Sequence, residues 1–262
     1  MDAEQWIAAA NRLVLRDDLP LTLQGGEPTL HPGFFRIVNE VKAEIKMDLM
    51  TNMMFDVRRF IEHVPTWRFT REAPYAPIRG SYHPGQNSID DLLQKTLTLQ
   101  DAGFRIGLYA VLHPEPNRRA HILKVQEECL SKGIDFRTKE FLGEFAGQVY
   151  GTFKYENAVS AGKSMQCQCK TSEIIVDPQG GVHRCHSFLY KLRQPIAHIL
   201  DDEMSEEAID QFRECTYFGD CNPCDVKVKT NRFQIFGHTS VEIRNILALR
   251  ECPSTTSGPS CV

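Results

Sequence analysis

Leu21-Thr22-Leu23-Gln24-Gly25-Gly26-Glu27-Pro28-Thr29-Leu30 is the stretch on which the fold turns. Leu21 to Gln24 reads as a short strand, and two glycines follow it directly. Glycine accepts positive φ and carries no Cβ, so Gly25 and Gly26 would let a ligand approach main-chain groups at the strand's C-terminal edge. Such edges are where open parallel sheets and barrels bind ligands. Glu27 puts a carboxylate there, suited to an ammonium group, and Pro28 fixes the turn. On residue types alone, the stretch also reads as a tight strand–helix connection with a solvated glutamate.

Outward from it, short extended runs alternate with helical patterns up to about residue 142, as βα units around a parallel sheet do. Phe34, Phe35, Ile37, Val38, Val41 and Ile45 recur with helical spacing, and Met47 to Thr51 is the next strand. Val57 to Val64 is a short helix, Pro77 to Tyr82 a strand, and Ile89 to Ala102 a helix stopped by Gly103. Arg105 to Leu112, Asn117 to Ser131 and Asp135 to Phe141 complete about five such units, with Cys129 a small buried hydrophobe inside the last helix. The expected class is α/β, with a first domain over 1–150. A smaller cysteine-rich region follows over 151–250, in which only Met204 to Arg213 is clearly helical. The Ser/Pro/Gly-rich tail over 251–262 is expected to be disordered.

Composition sets wide bounds. The chain has 262 residues, 42% hydrophobic and 24% charged, with a formal net charge of -4, so it can bury a core and shows no basic excess that would indicate nucleic acid. No apolar run approaches the roughly 18 residues of a membrane span. The start, MDAEQWIAAANRLVL, lacks the pattern of a secretory leader, which gives a cytoplasmic expectation. All of the nine cysteines except Cys129 lie after residue 166, with short spacings at Cys167-Gln-Cys169 and Cys221-Asn-Pro-Cys224. In a reducing compartment such clustering favours metal over disulfides. Cys169 and Cys185 bracket a predicted hairpin with an Asp177-Pro178-Gln179-Gly180 turn, which would bring them together. Cys221 and Cys224 have the two-residue gap that lets both sulfurs face one centre. Cys169, Cys185, Cys221 and Cys224 are the first choice of four ligands, then Cys215 and then Cys167. His183, His186 and His198 read as turn or core residues. The spacing alone describes a zinc ribbon equally well.

Residues 21–35, LTLQGGEPTLHPGFF, resemble the second strand and following loop of radical SAM enzymes, whose GGEP motif grips the amino group of S-adenosylmethionine. The resemblance covers roughly residues 10–145 and implies a partial parallel (β/α) barrel. It gives Gly25, Gly26, Glu27 and Pro28 to the cofactor's methionine end. Thr51-Asn52 stands where a Thr-Asn often ends the next strand, and Ser81-Tyr82-His83 would face the same cavity. The cysteine set resembles the Twitch form of the SPASM domain, which holds an auxiliary [4Fe-4S] cluster. One cluster is the expected count, because Val228 stands where the full SPASM pattern has its next cysteine.

The family's catalytic cluster is held by a C-x3-C-x2-C loop after the first barrel strand, and no cysteine precedes Cys129 here. Ala3 to Leu15 reads as the helix that follows that loop, so the first βα unit is expected upstream of Met1. A second [4Fe-4S] cluster is expected only in a form that carries that segment. Cys215, Cys221 and Cys224 form a C-x5-C-x2-C run, but their place after the barrel argues against a catalytic loop. The implied chemistry is that of an oxidoreductase: a 5'-deoxyadenosyl radical abstracts hydrogen from a small-molecule or peptide substrate, with flavodoxin or ferredoxin as electron donor. The alternative is a non-catalytic barrel protein, a binding or scaffold module with a structural zinc or a single iron-sulfur site.

Overall fold

The computed structural model describes residues 1–13, 20–159, 162, 164–171, 173–202, 204, 211–229 and 239–247. The chain divides into two compact units: Met1–Gly151 with Pro178–Gly180 and His198–Asp202, and Thr152–Asp177 with Gly181–Ala197 and the described part of Glu203–Val262.

The first unit is α/β. Helix α1 (Ala3–Arg12) starts on a reciprocal cap, in which the Asp2 carboxylate accepts from Gln5 N at 2.9 Å and Gln5 Oε1 accepts from Asp2 N at 3.0 Å. Strands β1 (Leu21–Leu23), β2 (Met47–Thr51), β3 (Ile78–Ser81), β4 (Ile106–Leu112) and β5 (Asp135–Glu140) form one sheet in the order β1-β2-β3-β4-β5. Every neighbouring pair is parallel. The crossovers carry α2 (Phe34–Glu40), α3 (Val57–His63), α4 (Ile89–Asp101) and α5 (Pro116–Ser131). Asp56, Ser88 and Glu115 cap the last three, and Gly103 and Gly133 stand at positive φ just after α4 and α5. Helix α2 is shorter than its apolar spacing suggests. It ends at Glu40, with Val41 as its C-cap, and Val41 and Ile45 join the core from the turn that follows.

Strand register sorts the sheet's side chains. Leu49, Ile78 and Ile106 are aligned across it, as are Leu108 and Phe136, and all five are buried in one cluster with Phe34, Val38, Phe60, Leu92 and Ile122 of the helices. Residues one step along point to the other face. There stand Asp48, Arg79, Ser81, Tyr109 and Arg137. Asp48 is fully buried and accepts from Arg71 at 2.7 and 3.0 Å and from Arg79 at 2.9 Å.

The second unit holds a three-stranded antiparallel sheet. Between the two large sheets in sequence lies a hairpin of β6 (Gly143–Phe145) with β7 (Gln148–Tyr150), within the first unit, and β8 (Met165–Thr171) is the central strand of the second unit's sheet. β9 (Ile175–Val176) and β10 (Gly181–His183) form the expected hairpin, which β11 (Ala197–His198) extends. β12 (Arg213–Phe218) and β13 (Val241–Leu247) flank β8. Two short helices, α6 (His186–Tyr190) and α7 (Pro223–Val226), stand where no helix was expected. The helix expected over Met204 to Arg213 falls mostly on 205–210, outside the described residues, and Arg213 itself opens a strand. The tail 251–262, with Cys252 and Cys261, also lies outside them. No described helix is long and apolar enough to cross a membrane.

Candidate functional site

Two sites emerge, one in each unit. The first is the C-terminal edge of β1 and β2. Gly25 and Gly26 have φ of 86° and 40°, are exposed, and have open space where a Cβ would stand. Glu27 then turns back over the sheet edge. Its Oε1 accepts from Thr29 N at 3.2 Å, Thr29 Oγ1 at 2.7 Å and Thr51 Oγ1 at 2.8 Å, and its Oε2 accepts from Asn52 N at 2.7 Å. Pro28 is the first residue of a 3-10 turn over Pro28–Leu30, which Glu27 caps. The Thr51 hydroxyl both donates and accepts, since it also takes the Met53 N–H at 2.9 Å.

The carboxylate that sequence reading left free to meet an ammonium group is therefore already committed to the ends of two neighbouring strands. A carboxylate has about four acceptor sites, and Oε2 takes one protein donor, so it retains an acceptor position. Ser81 ends β3, and its carbonyl accepts from Asn87 Nδ2 at 2.8 Å. The same Asn87 accepts from His83 N at 2.9 Å, so His83 sits in the turn that its sequence also suggests.

The second site is a pocket lined by Cys167, Cys169, Cys185, Cys215 and Cys221. Three of these thiols share one sheet. Cys167 and Cys169 stand two apart on β8, hence on one face, and Cys215 of β12 is paired with Cys167. Cys185 precedes α6 and Cys221 precedes α7. All five are free of disulfides. Cys224 is exposed and is not part of the pocket wall; Asn222 Oδ1 accepts from its backbone N–H at 2.9 Å. The two-residue gap starts a helix at Pro223 and turns the second cysteine outward.

Asp225 locks these segments together. Its buried carboxylate accepts from His186 N at 3.0 Å, His186 Nδ1 at 2.7 Å and Ser187 N at 3.2 Å, which fixes the residues beside Cys185 to those after Cys221. Burial works to lower the His186 pKa, but the hydrogen bond and charge of Asp225 overcome it and leave the pKa raised. His183 is buried and bonded to Asp177 at 2.7 Å in the hairpin, and His198 Nε2 meets the Gln179 carbonyl at 2.9 Å.

Sequence reading missed Asp225 and two arginines. Arg184 Nη2 lies 3.5 Å from Cys169 Sγ, and Arg193 forms part of the pocket wall. The only sequence signal for Asp225 is its place directly after Cys221-Asn-Pro-Cys224.

The donor set suits a sulfur-ligated cation. Burial pushes the Cys221 thiol up to about 12 and raises Cys185, whereas hydrogen bonds from Cys167 and Cys169 favour the thiolate at Cys215. A bound metal would reverse the first effect by giving the thiolates positive charge in place of the hydration that burial removes. Among the described residues no three of His, Cys, Asp and Glu surround a single metal-ion position. The five thiols share a pocket wall, and four thiolates are the donor set that a [4Fe-4S] cluster takes. Compared with known proteins, the chain matches no family model, no curated sequence and no solved structure.

Proposed function

We propose that the first unit is a portion of a radical SAM-type barrel and that the second is a Twitch-like region holding an auxiliary [4Fe-4S] cluster. The reading rests chiefly on five unbridged thiols, from three separate parts of the sequence, lining one pocket. It is supported by the order β1-β2-β3-β4-β5, which never reverses as a doubly wound sheet's does, and by the GGEP turn at that sheet's C-terminal edge. Cys169, Cys185, Cys215 and Cys221 would hold the cluster, with Cys167 beside them and Cys224 outside.

S-adenosylmethionine would supply a 5'-deoxyadenosyl radical, for hydrogen abstraction from a small-molecule or peptide substrate, only with the reduced catalytic cluster of a form that carries the C-x3-C-x2-C segment, and not with the auxiliary cluster. In this chain, Glu27 Oε2 would accept from the cofactor's ammonium while Thr51 and Asn52 hold the carboxylate in place. Gly25 and Gly26 would leave room for its methionine end, and Ser81 would line the same edge. An electron carrier such as flavodoxin or ferredoxin would be the natural donor.

A second reading is favoured by the four protein donors already on Glu27: a non-catalytic binding or scaffold protein in which this edge only ties strands together and the thiols hold a structural metal. Iron, sulfide and zinc analysis of anaerobically reconstituted protein, together with calorimetric titration of S-adenosylmethionine, separates the two. The first expects about four irons with matching sulfide, lost in Cys185→Ala and Cys221→Ala, and cofactor binding weakened at least tenfold in Glu27→Gln. One zinc without sulfide, and no cofactor binding, would establish the second.

A further inference from the structure

Two guanidinium groups flank the five-thiol pocket, and neither is fully satisfied. Arg184 Nη2 gives one hydrogen bond to the Glu214 carbonyl at 2.7 Å and lies 3.5 Å from Cys169 Sγ, while its Nε is buried without an acceptor among the described residues. Arg193 lies over the Tyr217 ring at 3.5 Å and the Phe188 ring at 5.2 Å, and those two rings line the same pocket. Its Nη2 pairs with Asp220 at 3.2 Å, but its Nη1 is likewise buried without an acceptor among the described residues.

A buried N–H without an acceptor has lost its water and gained nothing in return, so two of them beside one pocket point to an acceptor that belongs there. The Arg184 contact shows what kind: sulfur. The other charged group in the pocket wall, Asp225, is offset by the His186 side chain and two backbone N–H groups.

We infer that Arg184 and Arg193 set the reduction potential of the cluster held in this pocket, by giving N–H···S hydrogen bonds and two positive charges to its sulfurs. The inference rests on the iron-sulfur reading above. Reduction brings one electron from an external donor, lowers the net charge of the site by one unit, and breaks no bond to the protein. A nearby cation favours the reduced form over the oxidised one, and hydrogen bonds to sulfur act in the same direction. Both arginines therefore raise the potential. They are positioning residues and not ligands.

The test is a potentiometric titration with dithionite and redox mediators, followed by electron paramagnetic resonance of the reconstituted whole chain. Arg184→Gln and Arg193→Gln are each expected to lower the midpoint potential while iron and sulfide stay at the parent level. Arg184→Lys and Arg193→Lys, which keep the charge but lose the planar donor, are expected to fall between. An unchanged midpoint in both glutamine variants overturns the inference. So does loss of iron in the glutamine variants with a parent-like midpoint in the lysine variants, because that pattern reports folding alone. A parent protein that takes up one zinc and no sulfide removes the underlying reading as well, and metal analysis shows this before any variant is titrated.

Discussion

Glu27, Asp225 and Tyr109 are three polar groups whose surroundings decide what they do. Glu27 joins the ends of β1 and β2 through donors from Thr29, Thr51 and Asn52. Glu27→Ala is therefore expected to cost about 1–3 kcal/mol in urea unfolding, as Thr51 and Asn52 lose their acceptor. A change under about 0.5 kcal/mol would show that water replaces the carboxylate and that the edge is not built on it. Tyr109 has the opposite problem: its hydroxyl is buried with no partner among the described residues, and burial raises its pKa to about 12. An unfolded tyrosine ionises near pH 10, so between about 10 and 12 the unfolded chain has lost a proton that the folded chain keeps. The stabilisation is complete below about pH 10 and declines as pH rises towards 12. Tyr109→Phe should remove that decline and cost less than about 1 kcal/mol at pH 8, since it deletes an unpaired hydroxyl. Urea curves at pH 8 and 11 check this, and an equal alkaline loss in parent and variant would refute it. The Glu27–Thr51–Asn52 association was partly legible in the sequence because the resemblance of the GGEP stretch places both groups at the ends of successive strands, which are often neighbours. Asp225 was not, because its partners His186 and Ser187 are 39 and 38 residues away and nothing local marks a long-range carboxylate.

Elements were legible where burial leaves a periodic apolar signal. The five parallel strands and their helices put Leu49, Ile78, Leu108, Val38 and Ile122 into one core, and their spacing announces it. Strand β8 gives no such signal. Its sequence is MQCQCKT, and the residues it buries are Cys167, Cys169 and Thr171, so alternation is present but not in hydrophobicity. Its partner β12 gives no such signal either, because Arg213 to Phe218 presents charge and cysteine where a half-buried strand presents Val or Ile. The packing of β2 on β3 carries a test of its own. Met53 follows β2 at φ 58° and is fully buried, and a Cβ on Gly80 of β3 would come within 2.3 Å of its sulfur and 2.8 Å of Leu108 Cδ2. Gly80→Ala should cost about 1–3 kcal/mol through this overpacking. Adding Met53→Ala should recover part of it, since the smaller side chain opens the space. A double-mutant cycle with additive energies would show that Gly80 is required for the backbone and not for Met53.

The whole molecule combines two units of different self-sufficiency. Among the described residues, the buried cluster of the first contains 27 residues from its helices, parallel sheet and connecting turns. That of the second, among the described residues, contains Ala158, Cys167, Cys169, Phe218, Val226, Val241 and Ile243, two of them pocket thiols, with Cys185, Cys215 and Cys221 packed against it. On the reading proposed above, thiols at the centre of this described core would make metal binding part of the unit's folding energy. The change in character after β5 is legible in the sequence because apolar runs give way to cysteines. What the cysteines do there is not legible, because thiols can pack or ligate. Hydrogen exchange on the metal-loaded protein and after anaerobic chelation separates those roles. Removal is expected to speed exchange at least tenfold in Met165–Thr171, Gly181–Tyr190 and Arg213–Val226, while Met47–Thr51 and Ile106–Leu112 keep their protection. Unchanged exchange throughout would mean that the thiols pack as a core without metal. Equal loss in both sets would mean that the two units unfold as one cooperative body, and the separate cores would then be a feature of packing and not of stability.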